Sequence, residues 1–386
     1  MCKGENSRPT HTVNTWRNEE SAGIVSDRDI IVGVSISASG KFQLPGQQAL
    51  NGILLWQAYV NAEGGIRVGS ISRPVRLIWY DDASRANCTR ENVLRLLKND
   101  CVDILLGPYS SHLTIAGAQI AEEHHKVLWN YGGTSDEIFS RGWRYIVGVA
   151  SPASDYFRAF PRWLASQHPE LRRICMLYTA KGAFGTQVNR GLIESAKETG
   201  HSVHSVALNS LVGDSDTALS QLRGTNPQIV VLAGSFQDEL AIMRTRLDWP
   251  PTVSTVAAVA AGITSLGCEL GQMSERVLGP SQWEPGVSFS PIVGPTSNWF
   301  VDAFQKEFDI TPDYVAAGAF AAGLILAECI HQAVSLDSDR LRCIASHLDC
   351  NTFYGRFRID PQTGNEVGHR VLLIRWHNCV KSVIPT

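Results

Sequence analysis

The chain has 386 residues, 44% of them hydrophobic and 18% charged, with 34 basic against 37 acidic side chains and a formal net charge of −3. That balance excludes disorder for most of the length and argues against a nucleic-acid binder, which carries a basic face. No uninterrupted apolar run approaches the ~20 residues of a membrane-spanning helix, and ~150 residues per domain predicts two or three domains.

Residues 1–29 read as a polar N-terminal extension, and the first 28 carry no apolar stretch of the kind a secretory signal needs. Cys2 directly after Met1 leaves two readings open: a cytosolic protein, or an exported one whose mature chain starts at a lipid-anchored Cys2. Ile30–Ile36 (IIVGVSI) is a short β-branched run and predicts a buried strand. After a turn at Ser39-Gly40, Gln47–Ala62 repeats apolar residues at helical spacing and stops at Gly64-Gly65. Strand Val75–Tyr80, a turn at Asp81-Asp82, helix Thr89–Lys98, strand Ile104–Gly107, a helix from Ser111 and strand Val127–Asn130 follow.

After a break near 149–154 the alternation restarts. Strands Ile174–Tyr178, Val203–Ala207 and Ile229–Leu232 are interleaved with helices Gln187–Thr199, Thr217–Arg223 and Gln237–Leu247. Long helices at Ser297–Phe308 and Tyr314–Ala333 precede a β-rich end, Phe353–Ile359 and His369–His377. Strands alternating with helices over short loops predict an α/β protein with two doubly wound parallel sheets flanked by helices. In such sheets ligands sit beyond the carboxyl ends of the strands, so a cleft between the two halves is the expected site.

Nine cysteines are scattered without a C-x-x-C pair, so no zinc site is expected. Cys175 and Cys329 lie in apolar runs and read as core residues. Cys343 and Cys350 could meet around a helix end, and the odd total leaves at least one thiol free. No G-x-G-x-x-G follows the first strand, and neither a P-loop lysine nor a G-x-S-x-G elbow is present. No catalytic residue, metal or cofactor is expected. His124-His125 reads as solvated, and Asp81-Asp82 as a turn.

Several loops, taken in order, resemble one family. They are GVSISASGKFQLPGQQALNGILLW (33–56), NAEGGI (61–66), DD (81–82), LLGPYSSHLTIAGAQIAEE (105–123), GTSDEIFSRG (133–142), AFG (183–185), LGPSQWEP (278–285) and FYGRFRIDPQTG (353–364). Together they resemble the type I periplasmic binding proteins, in the branched-chain amino-acid (Leu/Ile/Val-binding) branch. The resemblance implies a two-lobed Venus flytrap with three crossovers between lobes. Lobe 1 would comprise 30–150 plus 283–352, and lobe 2 would comprise 151–282 plus 353–386. It further implies a non-enzymatic periplasmic or extracellular protein that delivers a small carboxylate, amide or amino-acid-like ligand to a membrane ABC permease. The alternative on the same fold is a cytosolic ligand sensor.

Gly107–Ser111 lies between a strand and a helix, where free N–H groups and the helix dipole suit a carboxylate. Ser110 or Ser111 would serve equally as a simple N-cap. The resemblance places Ser111 at the serine that grips a ligand carboxylate, with Ser110 beside it. It gives Gly132 a ligand-binding carbonyl, and Thr134 a hydroxyl and an amide. Phe184 and Phe236 match aromatic positions that close from lobe 2, while Tyr109, Phe42 and Trp283 are further wall candidates. Amino-acid binders of this family carry an acid for the ligand ammonium in the stretch matching Thr252–Ala261, and TVSTVAAVAA has none. Burying an ammonium without a counter-charge costs several kcal/mol. That disfavours α-amino acids, unless Asp238, Glu239 or Asp136 takes the role, and favours carboxylates without an amine, aromatic acids, small amides or urea.

Overall fold

The computed structural model describes residues 29–287 and 289–385. The polar extension to residue 28, with both readings of Cys2, lies outside the described residues. The first lobe begins β1 (Ile30–Ile36), α1 (Gln43–Ala62), a hairpin of β2 (Ile66–Val68) and β3 (Ile71–Arg73), β4 (Val75–Asp81) and α2 (Ala86–Lys98). It continues with β5 (Ile104–Leu106), α3 (Ser111–Glu123), β6 (Leu128–Asn130), α4 (Asp136–Ser140) and β7 (Ile146–Gly148). These build a parallel sheet in the order β4-β1-β5-β6-β7.

The second lobe contains α5 (Phe160–Gln167), β8 (Arg173–Thr179), α6 (Phe184–Thr199), β9 (Ser202–Leu208), α7 (Ser215–Thr225) and β10 (Ile229–Ala233). Then come α8 (Phe236–Arg244), β11 (Thr255–Ala258), α9 (Leu266–Leu270) and β12 (Leu278–Ser281). The chain then returns through α10 (Ser297–Phe308), α11 (Tyr314–Ala333), α12 (Ser338–His347) and the hairpin β13 (Cys350–Thr352) and β14 (Gly355–Phe357). It ends with β15 (Leu372–His377) and β16 (Val380–Ile384), which join the second sheet antiparallel in the order β16-β15-β12-β11-β10-β8-β9.

Helix α1 starts four residues before the expected Gln47. Pro45 reads as a breaker, but it sits in the first turn, where an amide needs no acceptor. The long apolar α11 is the keystone of the first core. Its length and composition would suit a membrane span, yet 78% of its apolar window is buried inside the protein. Two glycines let it approach α1: a Cβ on Gly52 would lie 2.3 Å from the Ala316 carbonyl oxygen, and one on Gly323 would lie 2.2 Å from the Trp56 ring.

Two sequence expectations need correction. The resemblance places Phe353–Ile359 in lobe 2, but Phe353 stacks on Phe300 at 4.6 Å and meets Phe320 and Trp283 edge-on. Phe353, Phe357 and Ile359 therefore belong to the first core, and Gly364 still accepts the Gly148 amide at 2.8 Å. The last crossover lies between Gly364 and Leu372. Trp283, a wall candidate, is fully buried in the same aromatic cluster. Apolar packing claims it for the core.

The crossover segments meet at Gln282. Its side chain accepts the Ser151 amide and donates to the Ser151 carbonyl, each at 3.1 Å. Its backbone carbonyl pairs with His369 Nε2 at 2.8 Å. One residue of the second crossover thus ties the first and the third. Cys175 and Cys329 are buried as expected, and Cys343 is exposed while Cys350 is buried; the eight described thiols are all free.

Candidate ligand-binding cleft

A cleft of about 1140 Å³ opens between the two sheets. It exceeds the roughly 300–1,000 Å³ of most small-molecule sites. Of the nine residues singled out in the sequence, Phe42, Tyr109, Ser110, Ser111, Gly132, Thr134, Phe184 and Phe236 line it, and Trp283 does not. They converge because each follows a strand of one of the two sheets, and both sheets point their carboxyl ends at the same gap.

Helices α3, α6 and α8 begin at this gap, with Ser111, Phe184 and Phe236 as their first residues. Their unpaired first amides and positive dipole ends favour an anion there. Ser110 takes the capping role on α3: its Oγ accepts the Leu113 amide, and its φ of 79° is a left-handed value that a non-glycine residue holds only under strain. Ser111 is thereby freed from capping its own helix. Its Oγ accepts the amides of Thr134 (3.2 Å) and Ser135 (2.9 Å). With both acceptor positions filled, the hydroxyl proton is directed to a further partner, and no donation from it occurs among the described residues.

Thr134 differs in part from the expectation. Its amide is engaged by Ser111, and its hydroxyl shares a 3.2 Å hydrogen bond with Tyr156 Oη. The Gly132 carbonyl accepts the Ser110 amide at 3.2 Å, leaving it one lone pair for a ligand donor.

The walls are aromatic on both sides. Phe42 meets Tyr109 edge-on at 5.8 Å, and Tyr156 meets Phe184 edge-on at 5.5 Å. Phe236 packs against the cores of both lobes. Sequence reading missed Tyr131, Tyr156 and Tyr314, which also face the cleft. Tyr131 Oη is buried and has no partner among the described residues. Burial pushes the hydroxyls of Tyr109, Tyr131, Tyr156 and Tyr314 up, so each stays a neutral donor.

The three candidate replacements for the missing ammonium partner are all engaged. Asp136 accepts from Ser154 Oγ at 2.6 Å and pairs with Arg190 at 2.9 Å. Asp238 accepts from Ser235 Oγ at 2.6 Å and from Ser210 Oγ at 3.1 Å. Glu239 is fully buried, takes the amides of Gly234 and Ala260 at 2.7 Å each, and is pushed up to about 8 by burial. Near pH 7 that carboxyl is mostly neutral. The stretch Val259–Ala260 adds only apolar wall. Lys41, Arg85, Arg141 and Lys181 line the cleft against Glu137 and Asp238, and Arg141 is paired with Glu137. The cleft carries a positive surplus.

Two facing α/β lobes, tied at three crossovers and enclosing a polar-ended, aromatic-walled cleft, define a two-lobed ligand-binding protein. The family model "Periplasmic binding protein" matches residues 29–379, and the chain belongs to that family. It is 23% identical over 366 residues to "Leu/Ile/Val-binding protein homolog 7" of Brucella abortus (strain 2308), covering 88% of this chain and 87% of the relative. Among solved structures, the leucine-binding protein LivK of Thermotoga maritima superposes with a TM-score of 0.80 at 18% identity, covering 92% of this chain and 98% of that one. A solute-binding protein of an ABC transporter from Rhodopseudomonas palustris, in complex with 3,4-dihydroxybenzoic acid, gives 0.75 at 19% identity, covering 90% and 93%. These likenesses show the fold.

Proposed function

We propose that this protein is the extracytoplasmic solute-binding component of an ABC importer, and that its ligand is a carboxylate or amide with an apolar or aromatic body. The observation that carries the ligand class is the cleft's charge. Three helix N-termini, the Ser111 hydroxyl and a surplus of lysine and arginine face it, while Asp136, Asp238 and Glu239 are all committed elsewhere. The carboxylate or amide oxygen lies at Ser111 and Thr134, and Phe42, Tyr109, Phe184 and Phe236 enclose the body. The relatives' names support the delivery role: one is a Leu/Ile/Val-binding homologue, and one neighbour holds an aromatic acid. No chemistry is performed on the ligand; capture and release are the whole task.

Binding closes the lobes as near-rigid bodies about the segments near 150, 282 and 364–372, with Gln282 as the shared pivot. Small-angle scattering on the protein with and without saturating 3-phenylpropionate tests this. The radius of gyration falls on ligand addition if the lobes close. A tightly bound acid that leaves it unchanged removes the flytrap mechanism.

A further inference from the structure

With Arg141 paired to Glu137, the basic side chains left in the cleft are Lys41, Arg85 and Lys181, and two of these, Lys41 and Lys181, enter from opposite lobes. Lys41 comes from the loop between β1 and α1, and Lys181 from the loop between β8 and α6. Both sit at the solvent-exposed mouth. The Lys41 ammonium lies 4.5 Å from the centroid of the Phe42 ring, which anchors it over the aromatic wall. Neither lysine has an ion-pair or hydrogen-bond partner among the described residues. Desolvation first, and then the charge of Lys181, make Lys41 easier to deprotonate, while Asp238 opposes this. His112 feels the same pair: desolvation, Lys41, Arg90 and Lys181 all lower its proton affinity. Asp238, which lines the cleft and accepts from Ser210, Ser235 and the Val212 amide, offsets only one of the two positive charges.

Two like charges on facing lobes oppose closure, and an anion placed between them turns that repulsion into attraction. We propose that Lys41 and Lys181 form a second anion subsite, so that the preferred ligand is a dianion, a dicarboxylate or an acid with a second anionic group. Its first carboxylate sits at Ser111 and Thr134, and its second group bridges the lobes. This rests on the reading of the cleft as an acid-binding site and adds the ligand's second charge.

The test compares each diacid with its own half-ester, which keeps the length and removes one charge. Terephthalate, adipate and pimelate are titrated by calorimetry at low ionic strength beside their monomethyl esters. At least one diacid binds tenfold or more tighter than its half-ester, and 0.5 M salt erodes the preference. In the double variant K41Q/K181Q the ratio falls to within twofold, and K41R/K181R restores it. Equal binding of every diacid and half-ester to the native protein, with both weakened in S111A, overturns the second subsite and leaves the acid-binding reading standing. A preference that survives in K41Q/K181Q overturns the assignment to these lysines. If no acid or half-ester binds while uncharged amides do, the acid-binding reading fails and this inference fails with it.

Discussion

Replacing Ser111 by Ala should weaken carboxylate binding by about 10- to 100-fold, or roughly 1.4–2.7 kcal/mol. Two losses combine. The Ser111 hydroxyl is the donor whose own acceptor positions are filled by the amides of Thr134 and Ser135, so its proton is oriented before the ligand arrives. Removing it also leaves those two amides without their acceptor and loosens the start of α4. Thr134→Val keeps the shape and removes only the hydroxyl paired with Tyr156, and it should cost about 1 kcal/mol of affinity. Calorimetry with benzoate or 3-phenylpropionate on both variants, with folding checked by circular dichroism, reads the effect. Unchanged affinity in both would place the ligand elsewhere in the cleft.

Gly52→Ala should lower the stability of the fold by about 3 kcal/mol, the upper end of the usual cost of overpacking. The added Cβ would meet the Ala316 carbonyl oxygen at 2.3 Å, and backbone facing backbone offers no rotamer through which to relax. The clash forces apart α1 and α11, the two helices on which the first core is built. Gly224→Ala is the matched control, since a Cβ there meets nothing within 4 Å, and a helical Gly→Ala change of this kind is neutral or stabilising by up to about 1 kcal/mol. Urea denaturation of the three proteins measures the difference. Equal midpoints for Gly52→Ala and the native chain would mean that the helices can slide apart at little cost.

Much of the cleft's lining was legible in the sequence, because in a doubly wound sheet the loops after the strands face the gap. Strand Ile30–Ile36 and helices Ser297–Phe308 and Tyr314–Ala333 appear with the bounds their periodicity gives. Each of Ser111, Thr134, Phe184 and Phe236 is adjacent to a strand end that the pattern marks. Tyr156 and Tyr314 were illegible for the opposite reason: one follows a crossover and the other starts a helix returning from the far lobe, so only the fold brings them to Ser111. Trp283 failed because an aromatic residue in a crossover reads the same whether it faces a cleft or a core, and Phe300 and Phe353 decide the matter from 17 and 70 residues away. The final crossover was misplaced by the same ambiguity, since the Phe353 hairpin alternates like any edge strand. Which serine caps α3 was also open in the residues themselves; the Leu113 amide, accepted by Ser110 Oγ, makes Ser110 the cap.

The central claim is that the cleft takes an acid or amide in preference to an α-amino acid, because Asp136, Asp238 and Glu239 are each already held by the protein's own donors. Parallel calorimetric titrations test it most directly: 3-phenylpropionate beside phenylalanine, and 4-methylpentanoate beside leucine. Each pair differs only in the α-amino group. The committed carboxylates of Asp136 and Asp238, the neutral Glu239 and the unpaired Lys41 and Lys181 lead us to expect that each acid binds tighter than its amino counterpart. Tighter binding of the amino acids by tenfold or more, ~1.4 kcal/mol, would contradict it and would mean that an acid such as Asp238 turns from its serines to the ligand.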